Sequence, residues 1–328
     1  MMRTLAIVGS HIRASGAGIV HAELASRIPA ILGPEWQVRA TPLIAEGGPP
    51  HGFRRLASMA ATRADVVLST GSPLPIRVRG LLIPLVYDVR WAWTRSGPDR
   101  IYRSLDLKRA VHRACRVLAI SQSVAAQLQY ISRMKRPIDV IPMGPGQFDG
   151  YQAPPPVNSH RIVLIGRAPH KRNEYAARLL SESTLVNENY EVTAVGLSET
   201  AKHILRSRID ITRLSFRDEI TSEQVASLLS ASSVLVAMGV SEGFGFPYAE
   251  ATYFGSDVIA PEQPIIRELF GSDGNYLAGP ECSLEEFERA LKRWDAARVG
   301  RLQAQSQSRS WTFAAEATAH AVRAAVQN

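Results

Sequence analysis

The chain has 328 residues, 45% of them hydrophobic, and a formal net charge of +8; it can bury a large core, and its length is more natural for two domains than for one. Its two cysteines, Cys115 and Cys282, have no CxxC or histidine-spaced partner, which argues against a zinc site and a disulfide framework and makes a reducing cytoplasm the expected location. The positive excess is one-sided: residues 1–150 hold 20 Lys and Arg against 9 Asp and Glu, and residues 151–328 hold 18 against 21. A negatively charged partner, whether phosphate, anionic lipid or nucleic acid, is therefore expected on the first half.

The start, MMRTLAIVGS, carries one arginine and a short apolar run without a small-residue cleavage site, so residues 4–10 read as a buried first strand. No segment approaches the roughly eighteen apolar residues of a membrane span. Further apolar, β-rich runs follow at 64–70 (ADVVLST), 83–89 (IPLVYDV), 116–121 (RVLAIS) and 138–144 (IDVIPMG), separated by helix-length segments. Such near-continuous strands predict a parallel sheet covered on both faces. After Gly150 the stretch YQAPPPVNSH cannot continue a sheet and reads as an interdomain linker.

The pattern then restarts with strands at 160–167, 190–196, 233–239 and 257–261 and helices at about 173–185, 222–231, 246–254 and 283–295. Thr221, Ser222 and Glu223 mark one helix start, since hydroxyls and an early carboxylate satisfy its unpaired amides. The last segment, SWTFAAEATAHAVRAAVQN, reads as a helix expected to pack at the domain junction. The expected organisation is an α/β chain of two doubly wound domains: 1–150, a linker at 151–160, 161–310, and a terminal helix at 311–328. Crevices at the carboxyl ends of the two sets of strands would face one another across a cleft.

The stretch SEGFGFPYAE, residues 241–250, concentrates the chemistry. A glycine loop leaves the strand at 233–239, Pro247 stands where first-turn prolines are favoured, and Gly255 supplies the stop. A helix starting there directs backbone N–H groups and the positive end of its dipole at a phosphate. Gly243 and Gly245 let a ligand approach the backbone closely. Glu242 sits at the mouth of the loop and Glu250 one turn inside the helix. A carboxylate accepts from vicinal hydroxyls, so two glutamates flanking a diphosphate suit a nucleotide sugar, one for the sugar and one for the ribose.

SEGFGFPYAEATYFGSDVIAP resembles the paired-glutamate signature of the family-4 retaining glycosyltransferases, whose GT-B architecture is two facing Rossmann-like domains. The resemblance extends to LSFRDEITSEQVASLLSASSVLVAM before the signature, APEQPIIRELFGSDGNYL after it, VLAISQSVAAQL and IDVIPMGPG in the first half, and the late helix at Trp311. It implies that Glu242 binds donor-sugar hydroxyls, Glu250 the ribose hydroxyls, and the backbone of Gly243, Phe244, Gly245 and Phe246 the sugar and phosphates. It also implies an arginine and a lysine on the diphosphate. Arg167 in IGRAPHKRN matches the arginine; the lysine's usual place is taken by Arg172, with Lys171 just before it, so either can serve. Glu242, Arg167 and Lys171 are the expected catalytic set.

In the first half, Gly16 and Gly18 resemble a glycine pair that lies against the donor phosphates in that family, while His21 stands where a dinucleotide fingerprint would need its third glycine. Many family members carry a His-Asp pair where this chain has Tyr87 and Asp88, expected on the acceptor side. A tyrosine is neutral near pH 7, which removes the usual acid or base. The chain has no Asp-x-Asp, so neither metal nor cofactor is expected. The basic, apolar-interleaved segment 100–118 could meet anionic membrane or an anionic acceptor.

The resulting expectation is metal-independent, same-face transfer of a sugar from a nucleotide sugar to a saccharide, lipid-linked or natural-product acceptor. The chain would be cytoplasmic and could be peripheral to the inner face of the membrane. The rival readings are a sugar-nucleotide hydrolase or epimerase of the same fold, and a basic nucleic-acid-binding protein. The last lacks aromatic stacking residues and a recognisable motif, so no nucleic-acid partner is expected.

Overall fold

The computed structural model describes residues 2–9, 15–41, 64–70, 78–166 and 169–327. They divide into two compact units, one of residues 1–146 and 309–328 and one of residues 147–308. Each is built on a six-stranded, wholly parallel sheet.

The first sheet contains β1 (Arg3–Val8), β2 (Trp36–Ala40), β3 (Val66–Ser69), β4 (Leu81–Val86), β5 (Leu118–Ala119) and β6 (Asp139–Val140) in the order β2-β1-β3-β4-β5-β6. Its central strands β1, β3 and β4 are almost wholly buried, as expected where helices cover both faces. The helix Gly16–Leu32 packs against the terminal helix Trp311–Ala325, and Arg323 donates to Ile31 O at 2.6 Å. The terminal helix thus belongs to the first unit. Trp311, fully buried, lies against Gly144 and donates from its indole nitrogen to Gly146 O at 2.6 Å. A side chain at Gly144 would stand 2.6 Å from the indole ring, so only glycine fits there.

The second sheet contains β7 (Arg161–Ile165), β8 (Glu191–Val195), β9 (Leu214–Arg217), β10 (Val234–Val236), β11 (Asp257–Pro261) and β12 (Asn275–Leu277) in the order β12-β11-β10-β7-β8-β9. From β7 the chain winds outward to β8 and β9; from β10 it winds the other way to β11 and β12. The switch point therefore lies between β7 and β10, paired Val234 to Ile162 and Leu235 to Val163. The carboxyl ends of these two strands define the crevice of such a sheet. Ile162, Leu164, Leu180, Leu205, Phe287 and Leu291 fill its core, each contributing about 1.5–3 kcal/mol by burial.

The Pro-rich stretch read as a linker is packed on this second unit. Tyr151 meets Phe148 edge-on, Tyr253 donates to Tyr151 O at 2.7 Å, and Gln303 donates to Pro154 O at 2.7 Å. The helix Ser222–Ser230 starts in a reciprocal box, Thr221 accepting from Gln224 N–H and the Gln224 side chain accepting from Thr221 N–H. Among the described residues no helix is long and apolar enough to cross a membrane.

Candidate active site

At the switch point the loops after β7 and β10 bring two oppositely charged side chains together. Lys171 stands in a short 3-10 turn, 169–171, and Glu242 in the glycine loop after β10; Lys171 Nζ lies 2.5 Å from Glu242 Oε1. Both are largely shielded, with side-chain exposures of 17% and 9%, so the attraction is stronger than in bulk water. Gly166, at φ +124°, lies against the stem of Lys171; a Cβ there would be 3.3 Å from Lys171 Cγ. Asn173 fastens the same turn by donating to Gly166 O.

The glycine loop ends at Gly245, whose left-handed conformation, φ +81° and ψ +50°, caps the helix Phe246–Tyr253. A Cβ at Gly245 would come 2.6 Å from the Tyr248 ring, so both the turn and the packing demand glycine. Pro247 occupies the first turn, and the helix N-terminus faces the loop that carries Glu242. Phe244 is buried and meets the Phe246 ring at 4.9 Å.

Tyr248, which the sequence did not single out, closes the floor. It is 1% exposed, and its hydroxyl faces Glu242; burial first, then the Glu242 charge, pushes it well above its ordinary value. Lys171 Nζ lies 5.7 Å from the ring centroid. A methyl group on Gly239 would be 3.2 Å from both Glu242 Oε1 and the Tyr248 hydroxyl. Lys171, Glu242 and Tyr248 thus form one compact group on the second unit.

Glu250 lies on the same helix, 8% exposed. Its carboxylate accepts from the backbone N–H of Gln147, and burial pushes its pKa up to about 7 against the favourable effects of that bond and of Lys171. Gln147 is another residue that motif reading missed, since it is distant in sequence and acts through its backbone.

The two cations left open by the sequence part company. Arg172 has a left-handed backbone, φ +52°. Its guanidinium stacks 4.5 Å over the Tyr175 ring and donates to Pro280 O, away from Glu242. Arg167 lies outside the described residues.

On the first unit, Gly16 and Gly18 form the first turn of their helix, and Gly18 N–H is taken by the Ser15 hydroxyl at 3.0 Å. Asp88 caps the following turn, accepting from Arg90 N–H at 2.6 Å and pairing with the Arg90 side chain. The Tyr87 hydroxyl is buried near Thr70, and burial raises its pKa well above the ordinary tyrosine value. Thr70 in turn bonds His21 Nδ1 at 2.7 Å, while His21 Nε2 meets Thr41 O at 2.8 Å. Burial lowers the His21 pKa, which fits a neutral ring bridging a hydroxyl and a carbonyl. His21 thus joins the carboxyl ends of β2 and β3 through Thr41 and Thr70.

Residues 159–294, most of the second unit, match the family model of glycosyl transferases group 1. The chain carries a glycosyltransferase domain and is a transferase. No curated protein matches it. Among solved structures it is similar to sucrose-phosphate synthase of Thermosynechococcus elongatus, at 16% identity and a TM-score of 0.75 over 100% of both chains. It is also similar to Anabaena Alr3699/HepE, at 15% identity and a TM-score of 0.70 over 99% of this chain and 100% of that one. The glycosyltransferase WaaG gives 14% identity and a TM-score of 0.68 over 97% and 99%. These likenesses establish the fold, that of GT-B glycosyltransferases.

Proposed function

We propose that the chain transfers a sugar from a nucleoside-diphosphate sugar to an acceptor hydroxyl with retention of anomeric configuration. The observation that carries this reading is the Lys171–Glu242 pair beside the N-terminus of the helix Phe246–Tyr253, at the switch point of a glycosyltransferase domain. Lys171, together with Arg167, neutralises the leaving diphosphate; Glu242 accepts from the sugar hydroxyls and Glu250 from those of the ribose. The backbone of Gly243 to Phe246 receives the phosphates.

The acceptor is a saccharide, lipid-linked glycan or natural product held by the first unit. Tyr87 and Asp88 shape the acceptor side as scaffold, because burial keeps the Tyr87 hydroxyl neutral and Asp88 is held by Arg90. The acceptor oxygen attacks the anomeric carbon on the face the diphosphate leaves, its bond to that carbon forms as the carbon–phosphate oxygen bond breaks, and its proton passes to the departing phosphate. The enzyme supplies alignment and charge, with no metal between phosphate and protein. Solved neighbours support the donor class: HepE was crystallised with UDP-glucose and the pneumococcal O-GlcNAc transferase GtfA with UDP and GlcNAc. We place the enzyme in the cytoplasm, with its first unit meeting the inner face of the membrane.

The test is product analysis by NMR with UDP-, GDP-, TDP- and ADP-sugars, with and without acceptor sugars, in chelator. A product with the donor's anomeric configuration, formed at an undiminished rate in chelator, is expected. An inverted product or a requirement for added metal overturns the mechanism. Free sugar released equally fast without acceptor identifies a hydrolase instead.

A further inference from the structure

We propose that Gln263 is a positioning residue for sugar transfer: its side-chain amide holds Gly239, and through Gly239 it keeps Glu242 and Lys171 in place. This rests on the donor reading given above and adds to it a residue outside the 241–250 stretch.

The sheet itself stops short of the site. Among the described residues the last backbone bond between β10 and β11 runs from Ala237 N–H to Ile259 O at 3.0 Å. Gly239, two residues further on, is still buried, and a buried carbonyl needs a donor. Gln263 supplies it, Nε2 donating to Gly239 O at 2.6 Å. A side chain thus extends the β10–β11 pairing beyond the sheet, up to the loop that bears Glu242.

Gly239 is where the two loops of the site meet. A Cβ on it would stand 3.2 Å from Glu242 Oε1, 3.2 Å from the Tyr248 hydroxyl and 3.4 Å from His170 O. His170 directly precedes Lys171 in the turn 169–171, so the residue that Gln263 holds is packed against the supports of both members of the Lys171–Glu242 pair. The next residue, Val240, is already 44% exposed, which leaves Gly239 as the last buried point at which that loop can be fixed from β11.

The side chain is not engaged by its own helix. Gln263 is the N-cap of the helix Pro264–Phe270, a position whose side chain ordinarily bonds the first N–H groups, yet it makes no such bond. Its base is firm: Glu262 N–H donates to Leu277 O at 2.9 Å, Arg267 donates to Glu262 at 2.7 Å, and Ile265 and Ile266 are buried. Releasing Gly239 from this base lets the Glu242 loop drift, and a misplacement of about 1 Å costs about a hundredfold in rate.

The variant Gln263→Met keeps the length of the side chain and removes the donor. In hydrogen–deuterium exchange of the full, ligand-free chain, peptides covering residues 238–250 exchange at least about fivefold faster than in wild type, while those covering β8 are unchanged. With UDP-, GDP-, TDP- and ADP-sugars, kcat falls about 30- to 100-fold, whereas affinity for the free nucleoside diphosphate stays within about twofold. In Gln263→Glu the ionised carboxylate cannot donate but the protonated one can, so its rate relative to wild type rises at least about fivefold from pH 8 to pH 5.5. Thermal melts check that both variants stay folded.

Unchanged exchange in Gln263→Met overturns the clamp whatever the activity. Faster exchange with kcat within about threefold of wild type, a matching loss of diphosphate affinity, or a Gln263→Glu rate ratio flat with pH overturns the positioning role. A wild type inactive with all four donors contradicts the donor reading instead, and the exchange measurement still decides the clamp.

Discussion

Glu250 offers a prediction that follows from burial alone. An ordinary glutamate titrates at 4.5; here burial places the value at about 7. The folded protein therefore binds more protons than the unfolded chain between about pH 4.5 and about pH 7, and stability falls as pH rises through that window. The cost is absent in acid and complete above the folded value. It corresponds to about 3 kcal/mol at alkaline pH.

Glu250→Gln removes the cost while its amide oxygen still accepts from Gln147 N–H. In a unit of 162 residues, this raises the melting temperature by about 6–12 °C near pH 8. Near pH 5, where Glu250 is mostly protonated, the gap shrinks to a few degrees. Calorimetric melts of both proteins at the two pH values measure it. A gap that is equal at both, or larger in acid, refutes the burial argument.

Three further predictions concern the same unit. Lys171→Ala lowers turnover about a hundred- to a thousandfold, as loss of a preorganised stabilising group does, whereas Arg172→Ala changes it less than about threefold; steady-state rates decide, and a larger Arg172 effect reverses the assignment. Tyr248→Phe removes only the hydroxyl facing Glu242, so affinity for the nucleotide sugar falls about tenfold while that for the free nucleoside diphosphate stays constant; calorimetric titration with both ligands separates this from general loosening, which would weaken both. Arg298 pairs with the buried Asp257, which also accepts from Asn275. Arg298→Ala leaves an uncompensated carboxylate and costs about 3–5 kcal/mol of stability, read by denaturant unfolding, with donor affinity unchanged below the transition.

The fold was legible where burial imposes a simple pattern. The runs at β1, β3, β4, β7, β8, β10 and β11 are continuous and apolar because helices cover both faces. The sequence reading passed over β2, β9 and β12, and all three are sheet-edge strands. An edge strand is partly exposed, as in the Trp36–Ala40 strand, buried mainly at Trp36, so it lacks the apolar run that marks a central strand.

Within the site, Glu242, the glycine loop and Pro247 announce themselves through local chemistry: a helix start next to glycines and carboxylates. What separates Lys171 from Arg172 is the left-handed backbone of Arg172, which turns adjacent side chains in different directions. No composition rule encodes that for an arginine. Tyr248 stood within the quoted stretch yet reads as an ordinary aromatic. Only the bend at Gly245, which admits its ring beneath the loop, brings its hydroxyl to Glu242. His21 was similarly ambiguous: its role as a bridge between Thr70 and Thr41 depends on three chain segments meeting at the end of the first sheet.

Whether Lys171 and Glu242 hold a nucleoside-diphosphate sugar is decided by a thermal-shift titration with UDP-, GDP-, TDP- and ADP-sugars on wild type, Lys171→Ala and Glu242→Ala. A ligand at a hundred times its dissociation constant stabilises the fold by about 2.7 kcal/mol. A clear rise in the wild-type melting temperature with one of these donors, lost in both variants, is expected. No rise with any donor, or an equal rise in all three proteins, would contradict it.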